Sequence, residues 1–92
     1  MNSEKMARHR GEIDRIDRDI LELLNARCRE AEAIGRLKDA VSAPVYSPER
    51  EREVFSRLDE LNAGPLDKES LHAVFRAVIG KGYRSVFALR AV

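Results

Sequence analysis

Cysteine is nearly missing from this 92-residue chain: Cys28 stands alone, which excludes an intrachain disulfide and suits a reducing compartment. An excess of one charge is missing too. Lys+Arg (17) and Asp+Glu (16) leave a net charge of +1, so no long-range field draws the chain to nucleic acid or to an anionic membrane surface. No apolar run approaches the roughly 20 residues that span a bilayer, and Met1 to Arg10 lacks the apolar core of a signal peptide. A cytoplasmic chain is expected. His9 and His72 are isolated, no His or Cys cluster has metal-ligand spacing, and no glycine-rich phosphate loop occurs. No Ser or Cys has a candidate base nearby in sequence. Neither a metal nor a cofactor is expected, and any chemistry must come from positioning and electrostatics.

What the chain does have is helical periodicity. Ile13, Ile16, Ile20, Leu23, Ile34, Leu37 and Val41 follow the alternating three- and four-residue spacing of one buried stripe. The spacing predicts a helix from about Arg10 to Val41, closed by Ser42, Ala43 and Pro44. Met1 to Ala7 reads as a loose, partly helical lead-in. Roughly 30 helical residues make a rod of about 45 Å, while a compact chain of this length has a radius of gyration of about 12 Å. The rod overhangs its own globule, so an intertwined homodimer is expected to cover the protruding stripe. The stripe is interrupted at Arg27 and Glu30, where a purely structural seam would carry Leu or Ile. A cation in that seam either pairs and sets register or awaits an anion. Cys28, beside it, reads as a small buried hydrophobe rather than a reactive thiol.

Ser47-Pro48-Glu49 matches the start of a second helix, with Ser as N-cap and Pro in the first turn. Val54, Phe55, Leu58 and Leu61 mark its buried face, and Asn62-Ala63-Gly64-Pro65 ends it. Asp67 then caps a third helix with apolar positions Leu71, Val74, Phe75, Val78, Ile79 and Val86, weakened near its end by Gly80 and Gly82. With no strand pattern or repeat, residues 1–92 read as a single all-α domain of three helices, long then short then medium.

Helix geometry relates the candidate cations. Lys38, eleven positions after Arg27, lies about 16 Å along the axis and only about 20° from eclipsed, so the two can bracket one small dianion. Arg10, seventeen positions before Arg27, lies about 25 Å away and roughly 100° around, and can join that ligand only from a partner chain. Arg50 and Glu51 fall in the first turn of the second helix, where backbone N–H groups can donate to an oxygen and Glu51 can accept from a ligand hydroxyl. Alternation through Glu49-Arg50-Glu51-Arg52-Glu53 also fits a solvated helix face. An Arg, Lys and Glu cradle suits a small hydroxylated dicarboxylate.

The pattern of Arg10, Ile13, Asp17, Leu23, Leu24, Arg27, Ile34, Gly35 and Lys38, followed by Pro44-Val45, Pro48-Glu49-Arg50-Glu51, Gly64-Pro65-Leu66 and Val74-Phe75-Arg76, resembles the all-helical AroQ class of chorismate mutases (chorismate mutase II type). It is nearest to the mutase domains of bacterial bifunctional chorismate mutase/prephenate dehydratases. The likeness covers about residues 8 to 79. It implies an intertwined helical dimer with two equivalent sites for chorismate. On that resemblance Arg10 reaches a substrate carboxylate in trans, Arg27 binds a carboxylate, and Lys38 contacts a carboxylate and the ether oxygen. Arg50 adds positive charge, Glu51 accepts from the ring hydroxyl, and Ser47 lines the site at a position where many relatives have Asp or Arg. The implied reaction is the Claisen rearrangement of chorismate to prephenate, on the way to phenylalanine and tyrosine.

Two positions depart from the resemblance. Gly82 stands where the family usually has Ser, and Val86 where it has Gln or Glu as second donor to the ether oxygen. Val86 cannot donate, although it shares a helical face with Phe75, Ile79 and Gly82; a local slip in Gly80-Lys81-Gly82-Tyr83-Arg84-Ser85 would bring Ser85 or Arg84 inward instead. Reduced activity is one expectation. The alternatives are a helical dimer without activity, serving as a binding or regulatory module, and the related isochorismate pyruvate lyase on the same scaffold.

Overall fold

The computed structural model describes the backbone of residues 1–44 and 46–91 and the side chains of residues 1–44 and 46–80. Its elements are α1 (Asn2–Ala40), α2 (Pro48–Leu61) and α3 (Lys68–Ala91). The order and relative lengths agree with the reading from periodicity, and residues on the described backbone form no strand.

Helix α1 is longer than its apolar stripe. It begins at Asn2 rather than near Arg10, so the first residues are helical and not a loose lead-in. Glu4, Lys5, Met6, Ala7 and Arg8 are all strong helix formers, and Glu4 sits in the first turn, where an acid complements the helix dipole. Thirty-nine residues make a rod of about 58 Å, which accounts for the 60 Å long axis of the molecule. The radius of gyration is 17.1 Å, against about 12 Å for a compact chain of this length.

The C-terminal end of α1 carries a strained residue. Ser42 N–H donates to Asp39 O (3.1 Å) and Ala43 N–H to Lys38 O (2.7 Å), the paired bonds of a Schellman motif. That motif puts its first residue past the cap in the left-handed region, and here the residue is Ser42, with φ 56°. A side chain there costs about 1–2 kcal/mol, which glycine avoids. Ser42→Gly is therefore expected to raise stability by about 1 kcal/mol, or about 4–8 °C in Tm. An unchanged or lowered melting temperature by circular dichroism would contradict this.

Helix α2 starts as its sequence predicts. Pro48 occupies the first turn and Ser47 Oγ accepts from Arg50 N–H (3.3 Å). Its exit is held by Asn62: Gly64 N–H donates to Asn62 Oδ1 (3.0 Å), and Asn62 Nδ2 to Leu66 O (2.8 Å). Gly64, at φ 81°, occupies a conformation that favours glycine, and the Gly64-Pro65 peptide is cis. Asp67 caps α3 by accepting from Ser70 N–H at 2.8 Å. The hydrogen bonds from Ser70 hold its carboxyl below the usual aspartate value.

Packing shows what one chain cannot bury. Among the described residues the buried apolar side chains are Leu71, 6% exposed, and Ile79, 7% exposed, both on α3. The stripe of α1 stays open, from Ile16 at 45% to Val41 at 74% exposed. Leu61 and Val74, expected on buried faces, are also exposed: Leu61 ends α2, and Val74 lies one position before the half-buried Phe75, which turns it off the packed side. Helix α1 meets α3 through a different face. Its one buried residue is Gly35, and Cys28 and Ala31 on the same side are half-buried. Small residues at that spacing let two helix backbones approach closely. No helix, among the described residues, is long and apolar enough to cross a membrane.

Candidate functional site

Arg27 is where sequence and structure first converge. It lines a cavity of about 240 Å³ between α1 and α3, together with Leu24, Cys28, Ala77 and Val78. The residue is half-buried, and among the described residues no carboxylate pairs with it. The pairs on α1 lie elsewhere: Arg15 with Glu12 (3.0 Å) and Asp19 (3.4 Å), and Arg36 with Glu32 (4.0 Å). The register-setting partner considered for Arg27, Glu30, is exposed. The wall is almost wholly apolar, so Arg27 lines it with the hydrocarbon stem of its side chain; a half-buried arginine with no carboxylate partner among the described residues can receive an anion supplied from outside. Its planar fork suits a carboxylate.

Lys38 lies three turns further along α1, half-buried in the last turn. Its carbonyl anchors the Schellman turn, so the turn that positions this lysine also redirects the chain towards α2. The first turn of α2 follows within ten residues. Ser47 and Glu51 are half-buried there. The backbone donors expected at this helix start are largely occupied: Arg50 N–H is taken by Ser47 Oγ (3.3 Å) and Glu51 N–H by Ser47 O (3.1 Å). Glu51 enters no ion pair among the described residues, whereas the exposed Arg50 guanidinium meets Glu53 at 3.2 Å. In the isolated chain Arg50 thus behaves as part of a solvated helix face.

Arg10 is exposed, and the helix places it about 25 Å from Arg27. One chain does not bring these two cations together. Gly82 and Val86, with Ser85 and Arg84, have side chains outside the described residues. Cys28, read as a buried hydrophobe, is half-buried, free and on the cavity wall. Periodicity had missed the Cys28, Ala31 and Gly35 face and Ala77; small residues on one helical stripe were the available signal. No group of His, Cys, Asp or Glu among the described residues could hold a metal ion.

The cavity is thus lined by Arg27 and apolar residues, while Lys38 and Glu51 are half-buried elsewhere on α1 and α2 and do not line it. Known proteins resemble this chain in sequence and in shape. The sequence pattern of the chorismate mutase type II family matches residues 9–84. The bifunctional chorismate mutase/prephenate dehydratase of Neisseria gonorrhoeae is 47% identical over 78 residues, covering 85% of this chain and 21% of that protein. Its counterpart from Aquifex aeolicus is 41% identical over 80 residues, covering 83% and 22%. The chain spans about a fifth of the length of these two relatives. Among solved structures, chorismate mutase (form II) from Thermus thermophilus superposes with a TM-score of 0.83 at 35% identity, covering 85% of this chain and 89% of that one. With both the family pattern and the three-helix shape matched over most of its length, the chain belongs to the chorismate mutase type II family.

Proposed function

We propose that this chain is a chorismate mutase, converting chorismate to prephenate in phenylalanine and tyrosine biosynthesis, in the cytoplasm, as a homodimer. The observation that carries the reading is Arg27: a half-buried arginine without a carboxylate partner among the described residues, its stem on an apolar cavity wall, in a chain of this family. Arg27 holds one carboxylate of the substrate, and Arg10 of a second chain approaches from the other side.

The rearrangement is pericyclic, so bond making and breaking occur within the substrate and require no acid, base, nucleophile or metal. Two contributions lower the barrier. Clamping both carboxylates holds the flexible enolpyruvyl arm over the ring in a near-attack conformer, which removes an entropic cost. A fixed cation at the breaking ether oxygen stabilises the charge that develops there. Lys38 takes that second role, and Glu51 accepts from the ring hydroxyl.

Incubation of the pure protein with chorismate, followed by chromatography, tests the reading. Prephenate is the expected product. Release of pyruvate from isochorismate, with chorismate untouched, would assign the lyase reaction instead, and no turnover of either by a folded dimer would leave a binding module.

A further inference from the structure

Helix α2 carries Arg50 and Glu51, with Ser47 as its N-cap, yet within one chain it buries no residue fully. Its attachment to α3 is narrow. Both polar links between the two helices, among the described residues, end on Asp59. The His72 imidazole Nε2 lies 2.7 Å from Asp59 Oδ1, and it is the donor, since an ionised carboxylate only accepts. Lys68 Nζ lies 3.8 Å from Asp59 Oδ2, but the lysine is so exposed that this pair contributes little. Phe55 covers the imidazole, with ring centroids 4.7 Å apart and planes inclined at 35°. His72 and Asp59 side chains are 21% and 30% exposed, so their bond is shielded where a surface pair would not be.

The register of α2 ties this clasp to the site. Glu51 and Phe55 are four residues apart and so lie about 40° apart on one helix face, whereas Arg50 lies about 180° from Asp59. Rolling α2 about its axis would carry Glu51 with Phe55. We infer that the His72–Asp59 hydrogen bond, with Phe55 stacked on it, is a positioning clasp that fixes the roll of α2 and thereby the placement of Glu51 in the site. The inference rests on the mutase reading for its effect on turnover, though the clasp itself does not. Arg27 and Lys38 belong to α1, so the clasp leaves the carboxylate contacts in place. A misplacement of about 1 Å can cost up to about 100-fold in rate, and a partial roll costs less.

His72→Leu keeps the bulk of the side chain but cannot donate, while His72→Gln can. In chorismate turnover by the full chain, His72→Leu is expected to lower kcat about tenfold, with KM changed less than about threefold. His72→Gln should recover most of that loss. In a Glu51→Gln background, His72→Leu should lower kcat no further, because it acts through Glu51. Equal losses in both backgrounds, or parental kcat in His72→Leu, would overturn the inference. Amide hydrogen exchange reads the clasp without turnover: His72→Leu should speed exchange across α2 and leave α1 at parental rates. Should the parent not convert chorismate, the mutase reading fails and exchange alone decides the clasp; unchanged protection of α2 would then sink it.

Discussion

Lys38→Ala is expected to lower kcat for chorismate by at least about 100-fold, the scale of losing one preorganised donor to a developing oxyanion. The variant should fold normally. Alanine is the best helix former, and the bonds of the Schellman turn at this residue use its carbonyl, not its side chain. KM should move less than kcat, because the carboxylate contact proposed for Arg27 is kept in ground state and transition state alike. The expectation is sharpened by Val86, whose side chain cannot supply a second donor. Near-normal turnover by Lys38→Ala would remove Lys38 from the reacting centre.

The second large effect concerns two arginines that one chain keeps apart. Arg27→Ala should lower kcat/KM by about 100-fold or more, as expected when one partner of a close charge pair is truncated. Arg10→Ala should do the same, although Arg10 is exposed and, by helix geometry, about 25 Å from the cavity that Arg27 lines. In a monomer that substitution would be close to silent. The reason to expect otherwise is the open stripe of α1. Ile13, Ile16, Ile20, Leu23, Ile34, Leu37 and Val41 are all exposed, and covering them in two chains contributes on the order of 10 kcal/mol before the cost of association. A chain whose described side chains include only two buried apolar residues has little other means of reaching ordinary stability. Steady-state kinetics on the two variants, with their oligomeric state checked by sedimentation, would decide whether their losses match.

The helices were legible because each carries a periodic stripe and most of their ends are recognisable, the start of α1 at Asn2 being the exception that was missed. Ser47-Pro48, Asn62 to Pro65 and Asp67 all perform the capping and stopping roles that their side chains suggest. Arg27 stood out as a cation breaking an apolar series, but its place on the cavity between α1 and α3, beside Leu24 and Cys28, was not readable from that series. What was not legible had no periodic apolar signature. Cys28, Ala31 and Gly35 form the face towards α3, but alanine and glycine announce themselves weakly, since their contribution is the closeness that they permit. The stripe itself misled in one respect: its residues stay open in a single chain, so the most hydrophobic face of α1 is not the face that builds the chain's own core. The bond between Asp59 and His72 spans two helices and a turn, a separation at which charge patterning within a helix says nothing. Arg50 was ambiguous in sequence, and its pairing with Glu53 shows the solvated side of that ambiguity.

The central claim is that each site is built from two chains, with Arg27 from one and Arg10 from the other. Mixing the two inactive variants, Arg10→Ala and Arg27→Ala, under conditions that exchange subunits tests it most directly. Each mixed dimer would hold one site with both arginines and one with neither, so chorismate turnover should return to about a quarter of the parent's value in an equal mixture. A mixture no more active than its separate components, with mixed dimers demonstrated by mass spectrometry, would contradict the shared site.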